Sequence, residues 1–379
     1  MANHNIKLKE DYPWIQTPLI VGAPMRLIAL AELAVEISKA GGIGFIGAGT
    51  DVTPLRSYLE HTTQLLSHPS ASHLPTTPVL PIGIGFINWG ASLPSSIALI
   101  AEFKPAAVWF FAPSSIPSLQ EWTTQTRQAS PLTKIWIQIG SVQEARDVVQ
   151  ATNPDVLVVQ GTDAGGHGLK RGAGLISLLP EVLDMLSNIT LPLSHPPSSS
   201  PPPPTASTPT QTQTPTPKPT HPTIIATGGL STPTTASAAL TLGATGIALG
   251  TAFLATNEAR ISPGYQAAIL AATDGGQSTT RTTLYDSLRG TKWPDTYNAR
   301  GVVNQSYEDA VRGMSAAENM RLYEEEVRKG DAGWGVGGRM TTYAGSGVGL
   351  VREVRGAGEV VRSVRGGIEG VLRGVLGRL

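Results

Sequence analysis

The sequence predicts an α/β protein built as a (β/α)8 TIM barrel, and three observations support this fold class. Short apolar runs rich in β-branched residues alternate with segments of helical periodicity, the pattern of βαβ units in a parallel sheet. Eight such runs and seven intervening helices can be counted. The glycine-rich turns fall late in the chain, whereas an open doubly wound sheet usually has its phosphate turn after the first strand. A closed barrel therefore fits better.

The predicted elements follow one another in the order that a barrel requires. Each strand is a short apolar run, and the eight predicted strands are 19–22, 42–46, 81–86, 107–110, 135–139, 156–160, 223–226 and 246–249. Each helix has apolar residues at helical spacing. The seven predicted helices are 29–39, 55–66, 94–102, 118–128, 142–150, 175–186 and 233–242.

Beyond the eighth strand the pattern changes to longer helical segments followed by a glycine-rich stretch. We expect three regions: a barrel over 1–254, an additional α-helical subdomain over 255–340 packed above the barrel mouth, and a glycine motif with a terminal helix over 341–379. The last 30 residues have apolar side chains at helical spacing but include seven glycines. This favours a docked or partly frayed helix over a membrane-surface helix.

A proline-rich segment interrupts the barrel pattern between the sixth and seventh strands. Twelve of the 30 prolines lie in 192–222, among Ser, Thr and Gln. Proline removes backbone donors, and these neighbours offer little apolar surface to offset the entropy of ordering. We expect a disordered Pro-rich insertion here. Because loop lengthening costs only logarithmic entropy, a tolerated insertion is favoured over a docking or modification site.

The composition narrows the chemistry. The 28 Lys and Arg balance 28 Asp and Glu, so we expect no nucleic acid or membrane partner. The chain has no 18-residue apolar run and no apolar stretch near its start, which favours a soluble, cytoplasmic protein. The absence of cysteine excludes thiolate nucleophiles, cysteine-ligated zinc and iron–sulfur clusters, and we expect no metal. Chemistry must then use His, carboxylates, hydroxyls or a cofactor.

Two glycine turns predict a phosphate site. In a (β/α)8 barrel the active site lies at the C-terminal ends of the strands, and the loops after strands seven and eight often bind phosphate. Here the seventh strand runs into Gly228 and Gly229, and the eighth runs into Gly250 and Thr251. Glycine lets the backbone approach an anion, and free N–H groups at a helix start point at it. Either dipeptide alone is a common turn, but the pair after consecutive strands predicts phosphate binding.

Strand ends also supply candidate polar groups. His167 lies among four glycines in GTDAGGHG after the sixth strand, with no apolar face to fill. A lone histidine is ordinarily a structural or surface residue, but at a strand end beside a phosphate site it is a candidate general base. Met25 lies in a tight turn after the first strand, Asn88 follows the third, and Gln138 lies on the fifth. The two amides are either ligand contacts or loop caps.

Several of these motifs occur together in one known family. The chain contains GAPM after the first strand, KAGGIGFIGAG at 39–49, GTDAGGHG at 161–168, ATGG at 226–229, LGTAFLAT at 249–256 and YAGSGVGL at 343–350. Over 1–260, interrupted by the Pro-rich insertion, the chain resembles the nitronate monooxygenases, formerly called 2-nitropropane dioxygenases. The AGGH motif with the late GG and GT pairs is specific, whereas GAPM alone is not.

The resemblance implies an FMN-dependent barrel enzyme whose partners are small molecules, an alkyl nitronate and dioxygen, with a carbonyl compound and nitrite as products. It assigns His167 as the catalytic base. The positions that it implies for FMN phosphate binding are Gly229, Gly250 and Thr251, with Ala248 and Leu249 alongside. The positions that it implies for the isoalloxazine and ribityl parts are Met25, Asn88, Gln160 and Gly165.

Two positions depart from the family pattern. Asp163 stands where many relatives have Glu, a mild change. Gln138 stands where many have Lys, so a positive charge near the N1–C2=O edge of the flavin would be missing, with consequences for flavin potential and oxidant preference.

Two other functions are compatible with the residues. An FMN-dependent NAD(P)H:quinone reductase or enoyl-ACP reductase has the same fold and phosphate loops, and rapid anaerobic reduction of its flavin by NADPH would identify it. A non-catalytic flavin-binding protein is the second alternative, and the intact glycine frame around His167 disfavours it.

Overall fold

The barrel forms from eight parallel strands in the computed structural model, which describes residues 2–75, 78–189, 221–335 and 337–378. The strands close in the order β1-β2-β3-β4-β5-β6-β8-β9. Their bounds are Leu19–Gly22 (β1), Ile43–Gly49 (β2), Leu80–Ile87 (β3), Pro105–Phe111 (β4), Lys134–Ile139 (β5), Val156–Gln160 (β6), Thr223–Thr227 (β8) and Gly246–Leu249 (β9). The predicted (β/α)8 fold is confirmed.

The barrel interior is packed with side chains below the level of the site. Alternate strand residues face inward, and their largest members are Phe45, Trp109 and Trp136, all buried. Trp136 Nε1 donates to the hydroxyl of Tyr12, 2.7 Å away, which directly follows the N-terminal helix α1 (Ala2–Asp11). This helix closes the lower end of the barrel, so ligands have room only at the opposite, C-terminal end.

Helices cover the outside of the barrel and bury the second face of each strand. They are Ala31–Lys39 (α2), Leu55–Leu66 (α3), Leu93–Phe103 (α4), Ile116–Ala129 (α5), Val142–Thr152 (α6), Leu175–Asn188 (α7), Pro233–Thr241 (α8) and the short Thr251–Leu254 (α9). The last helix, Ala357–Leu376 (α15), packs on α2 and α8 through buried residues that include Val361 and Val364. The terminal segment is thus a helix that is docked on the outside of the barrel.

The region above the barrel mouth contains strands as well as helices. Its helices are Pro263–Ala271 (α10), Gly275–Ser278 (α11), Leu284–Leu288 (α12), Gln305–Val311 (α13) and Ala316–Arg328 (α14). Two strands, Thr279–Thr282 (β10) and Tyr297–Val302 (β11), pair antiparallel with each other and with Gly166–Leu169 (β7), in the order β10-β11-β7. The helical pattern expected for 255–340 missed these strands because TTRT and YNARGV lack the apolar alternation that marks a strand.

This small sheet has a direct consequence for the site. In the pairing of β7 with β11, His167 lies opposite Ala299. The histidine is therefore on a strand hydrogen-bonded to the upper region, not in a free loop after β6. Nearly all of the predicted Pro-rich insertion at 192–222 lies outside the described residues, and the chain continues from 221 directly into β8. None of the helices formed by the described residues is long and apolar enough to cross a membrane.

Candidate active site

A cavity of about 540 Å³ opens at the C-terminal ends of the barrel strands. Its volume lies in the range of roughly 300–1,000 Å³ typical of small-molecule and cofactor sites. Ten of the twelve residues proposed from the sequence line it: Met25, Gln138, Gln160, Gly165, His167, Gly228, Gly229, Ala248, Gly250 and Thr251. The fold thus brings together residues from the ends of five barrel strands, and His167 on a further strand, in one cavity.

Asn88 and Leu249 are the two proposed residues that do not line the cavity. Asn88 is only 4% exposed, and its Oδ1 accepts a hydrogen bond of 2.8 Å from the backbone N–H of Phe111. The side chain thus caps the end of β4. Leu249 is fully buried in the core between barrel and helices. The structure places both beside the site, where they support its walls.

The first predicted phosphate loop requires glycine. Gly228 has φ +110° and Gly229 has φ +73°, and a Cβ at Gly228 would lie 2.8 Å from the carbonyl oxygen of Gly161. Side chains are strained at such positive φ values. The backbone N–H groups of Gly229 and Leu230 make no hydrogen bond within the described part of the chain. Buried N–H groups normally have a partner, so these two donors are available to a ligand.

The start of α8 explains which donors remain free. Thr232 caps the helix and forms a capping box with Thr235. The Oγ1 atom of Thr235 accepts hydrogen bonds of 3.0 Å from the N–H groups of both Ser231 and Thr232. These donors are satisfied internally. The unpaired donors therefore lie nearer the strand end, at Gly229 and Leu230.

The second predicted phosphate loop is held in place by the glycine motif near the C-terminus. The N–H of Gly345 donates to Thr251 Oγ1 over 3.0 Å, so the threonine hydroxyl can still donate its own proton. Ser346 Oγ donates to Asp163 Oδ1 over 2.8 Å, and Ser346 N–H donates to the Asp163 carbonyl. Residues 345–346 thus connect Thr251 with the loop after β6. Free N–H groups and a hydroxyl on adjacent loops suit a phosphate group.

Neutral groups form other parts of the cavity wall. The carbonyl of Met25 accepts from the N–H groups of Ile28 and Ala29 at 3.0 and 2.8 Å, which forms the turn after β1. Trp109 Nε1 donates to Gln138 Oε1 over 2.9 Å, so the amide NH2 of Gln138 is left for other partners. The site therefore has a neutral amide donor at this position.

His167 is fixed by contacts on two sides. Its Nε2 lies 2.8 Å from Oδ1 of Asp286 on α12, and the two side chains are 14% and 7% exposed. Its ring stacks on Trp293, with centroids 3.7 Å apart and planes 10° apart. Asp286 Oδ1 also accepts from the hydroxyls of Tyr343 at 3.1 Å and Thr291 at 3.3 Å. The histidine thus belongs to a hydrogen-bonded network.

The sequence offered no signal for this network. Asp286 lies 119 residues from His167 along the chain, in a segment without a recognisable motif. Trp293 and Tyr343 reach the site only because the upper region folds over the barrel. The YAGSGVGL motif does include Tyr343, but nothing in the sequence indicates that its hydroxyl contacts Asp286.

Burial keeps His167 neutral near pH 7. Loss of solvent is the largest effect, and it lowers the pKa of His167 below its usual value of about 6.5. The Asp286 carboxylate opposes this shift, while the cations of Arg289 and Arg281 add to it. Because a carboxylate only accepts hydrogen bonds, Nε2 carries the proton, and Nδ1 has the lone pair that can take up another.

The cavity has a positive electrostatic character. None of the residues that line it in the described structure is Asp or Glu, whereas Arg26, Arg260 and Arg289 all contribute to its walls. Two further arginines hold the loop after β6: Arg281 Nη1 lies 3.4 Å from the carbonyl of Ala164, and Arg300 Nε donates to the carbonyl of Thr162 over 3.1 Å. Burial lowers the pKa of Arg281 to about 10, so it remains cationic at neutral pH. Anionic ligands are favoured here.

Fold and site together define a (β/α)8-barrel protein with unpaired backbone N–H groups at a glycine loop and a buried histidine in one cavity. The family model for nitronate monooxygenase matches residues 117–365. A nitronate monooxygenase from Metarhizium robertsii is 39% identical, over 98% of this chain and 97% of the relative. One from Neurospora crassa is 34% identical, over 95% of this chain and 91% of the relative. The chain belongs to the nitronate monooxygenase family, and it is a flavin-dependent oxidoreductase that acts on small molecules.

Solved structures support the same fold. The nitroalkane oxidase of Streptomyces ansochromogenes superposes with a TM-score of 0.67 at 21% identity, covering 97% of this chain and 99% of that chain. FabK from Thermotoga maritima gives a TM-score of 0.68 at 19% identity, covering 98% and 99%. At these identities the likeness concerns the architecture alone. The family predicted from the glycine motifs and His167 is thus confirmed by sequence, and the barrel by structure.

Proposed function

We propose that the protein is an FMN-dependent nitronate monooxygenase that oxidises alkyl nitronates with dioxygen to a carbonyl compound and nitrite. Two nitronate anions and one dioxygen balance as two carbonyl compounds and two nitrite ions. The observation that carries the proposal is that one cavity is lined both by a glycine loop with unpaired N–H donors and by His167, with no Asp or Glu among its described lining residues. Family membership supports the same reaction.

The residues present fit FMN. Gly228, Gly229, Gly250 and Thr251 would hold its phosphate through N–H groups and a hydroxyl. A Cβ at Gly347 would lie 2.8 Å from the carbonyl oxygen of Gly229, so the C-terminal glycine motif covers the phosphate loop closely. This cover leaves little space beyond the phosphate for a second nucleotide, which favours FMN over FAD.

The remaining proposed residues would contact the rest of the cofactor. Met25, Gln138, Gln160 and Gly165 line the same cavity as the glycine loops and His167, and they would lie along the ribityl chain and isoalloxazine ring. The flavin, when bound, accepts electrons from the substrate and passes them to dioxygen. With Gln138 in place of a lysine, a neutral donor would contact the ring, and the reduced anionic flavin would be less stabilised than beside a cation.

The role of His167 would differ between two kinds of substrate. A nitronate is already an anion and enters a cavity walled by arginines, so its oxidation needs no proton removal. A neutral nitroalkane must first lose its α-proton, and Nδ1 of His167 can accept it because the imidazole is neutral near pH 7. The aromatic wall of Trp293 and Tyr343 beside His167 limits the access of water to this end.

The test begins with the purified protein. We expect a yellow solution that releases FMN on heating and forms nitrite from propionate 3-nitronate under air. A colourless protein that cannot be reconstituted with FMN would refute the proposed cofactor. Rapid reduction of the flavin by NADPH without dioxygen, together with an absence of nitrite formation, would instead identify a reductase.

A further inference from the structure

The carboxylate of Asp286 is the part of this site that has no assigned role. It belongs to α12 in the region above the barrel, yet it contacts His167 on β7 at 2.8 Å. Its Oδ1 is also the acceptor for the hydroxyls of Tyr343 and Thr291. Three donors, the Nε2 of His167 and the hydroxyls of Tyr343 and Thr291, therefore converge on one buried carboxylate oxygen.

We propose that Asp286 is the positioning residue of His167: it holds the imidazole as the Nε2–H tautomer and stabilises the imidazolium that forms when Nδ1 takes a proton from the substrate carbon. The proposal rests on the proposed function. In the step itself, the Cα–H bond of a neutral nitroalkane breaks, its electron pair stays on the substrate as the nitronate, and the proton forms a new N–H bond at Nδ1. No proton is transferred to Asp286 in this step.

The contacts around the ring leave it little freedom. Trp293 covers one face in parallel at 3.7 Å, and the pairing of His167 with Ala299 fixes the backbone. A ring flip would replace the Nε2–H···Oδ1 bond with a C–H group and leave a buried carboxylate short of a donor, which is unfavourable. One ring orientation, with one nitrogen free, is therefore strongly favoured.

The charges that face His167 show why a carboxylate is needed. Arg289 and Arg281 both disfavour the imidazolium, and burial does so more strongly. Among the groups that act on this ring, Asp286 is the one that favours the protonated form. Tyr343, whose ring centroid lies 5.5 Å away, stays neutral because burial raises the pKa of its hydroxyl far above the physiological range. Without Asp286, His167 would be a weaker base.

A structural role for Asp286 makes different predictions from a positioning role. Its bonds to Tyr343 and Thr291 also join α12 to neighbouring segments, so Asp286→Asn lowers stability in either case. Asp309→Asn is the matched control: this carboxylate pairs with Arg339 in the same upper region and does not line the cavity. Its loss should lower the unfolding temperature without changing the reaction with any substrate.

The kinetic test uses Asp286→Asn, His167→Asn, the double variant and Asp309→Asn, each as FMN-loaded enzyme. With neutral nitroethane, Asp286→Asn should lose roughly 10- to 100-fold in kcat, a part of the 10²–10⁴ that a general base supplies. With ethyl nitronate it should lose less than about threefold. The double variant should be no slower than His167→Asn, since the two residues act as a unit. Equal losses on both substrates, or additive losses, would overturn the proposal.

A second measurement does not depend on turnover. Protein labelled with ¹⁵N-histidine reports the tautomer and pKa of His167 by NMR, with His167→Asn identifying its signals among those of the seven histidines. We expect the Nε2–H tautomer in the unmodified protein and a lower pKa in Asp286→Asn. An Nδ1–H tautomer, or an unchanged pKa in the variant, would refute the positioning role. If these results hold but no nitronate yields nitrite, the proposed function fails while the His167–Asp286 pairing stands.

Discussion

Replacement of Gly228 by alanine tests the proposed binding site for the FMN phosphate, and the variant Gly243→Ala provides a matched control. The two glycines have almost the same backbone conformation, with φ +110° and +109°. Gly228 lines the cavity and Gly243 does not. An alanine at either position is strained by about 1–3 kcal/mol, so both variants should lose a similar free energy of unfolding in urea.

The two sites differ in what the new methyl group would meet. At Gly243 it would approach Leu183 Cδ1 at 2.6 Å, the end of a side chain that can rotate away. At Gly228 it would approach two backbone atoms, Gly161 O at 2.8 Å and Ala164 N at 3.1 Å. An ordinary contact would be 3.4 Å instead of 2.8 Å, so the loop after β8 must move about 0.6 Å away from Gly161. The N–H of Gly229 would move with it.

That displacement should weaken FMN binding. A charge-assisted hydrogen bond contributes about 1.5–3 kcal/mol, so loss of one corresponds to a rise in Kd of roughly 10- to 100-fold. The assay is titration of the apoprotein with FMN, followed by quenching of flavin fluorescence. Gly243→Ala should bind FMN within about twofold of the unaltered protein. Unchanged binding by Gly228→Ala, or equal weakening in both variants, would refute a phosphate site at this loop.

Three further outcomes are expected. His167→Asn should abolish turnover of neutral nitroalkanes while it retains most nitronate activity and FMN binding, and equal loss on both substrates would contradict the role of His167 as a base. Arg289→Gln should raise KM for nitronates by about 3- to 10-fold with little change for neutral nitroalkanes, because it removes a cation from a cavity wall whose described residues include no Asp or Glu. Arg289→Lys should restore much of the affinity. An unchanged KM in Arg289→Gln would exclude a contact between Arg289 and the nitronate. Folding lowers the pKa of His167, so the unfolded chain binds more protons than the folded protein below about pH 6.5. The free energy of unfolding, measured relative to His167→Gln, should therefore fall as pH decreases from about 7.5 to 5. A difference that stays constant with pH would show that folding does not shift the pKa of His167.

Much of the fold was predictable because its signals are local. Each barrel strand is a buried apolar run. The apolar side chains of residues such as Ile135, Ile137 and Ile139 by themselves indicate that the strand is buried. The glycine turn after β8 was equally predictable, since Gly228 and Gly229 have backbone conformations that strain other residues. The upper sheet was not predictable. Its strands β10 and β11 are polar, and they form because each pairs with a neighbour that is distant in sequence.

The site shows the same division. The roles of Asn88 and of His167 both depend on partners far along the chain: Asn88 binds the backbone of Phe111, and His167 binds Asp286. A motif can indicate that an amide or an imidazole lies at a strand end, but not whether it faces ligand or backbone. That choice is decided by packing, which sets the local geometry and the solvent exposure.

The sequence by itself therefore determined the barrel, the order of its strands, the two glycine loops and a single histidine of interest, because residue type, periodicity and glycine placement are properties of short segments. Only the tertiary structure decided that this histidine has a carboxylate partner, a stacked tryptophan and arginines nearby. The physical reason is that basicity and orientation depend on burial and on charges within a few ångströms, and the chain brings Asp286 to His167 across 119 residues only by folding the upper region over the barrel.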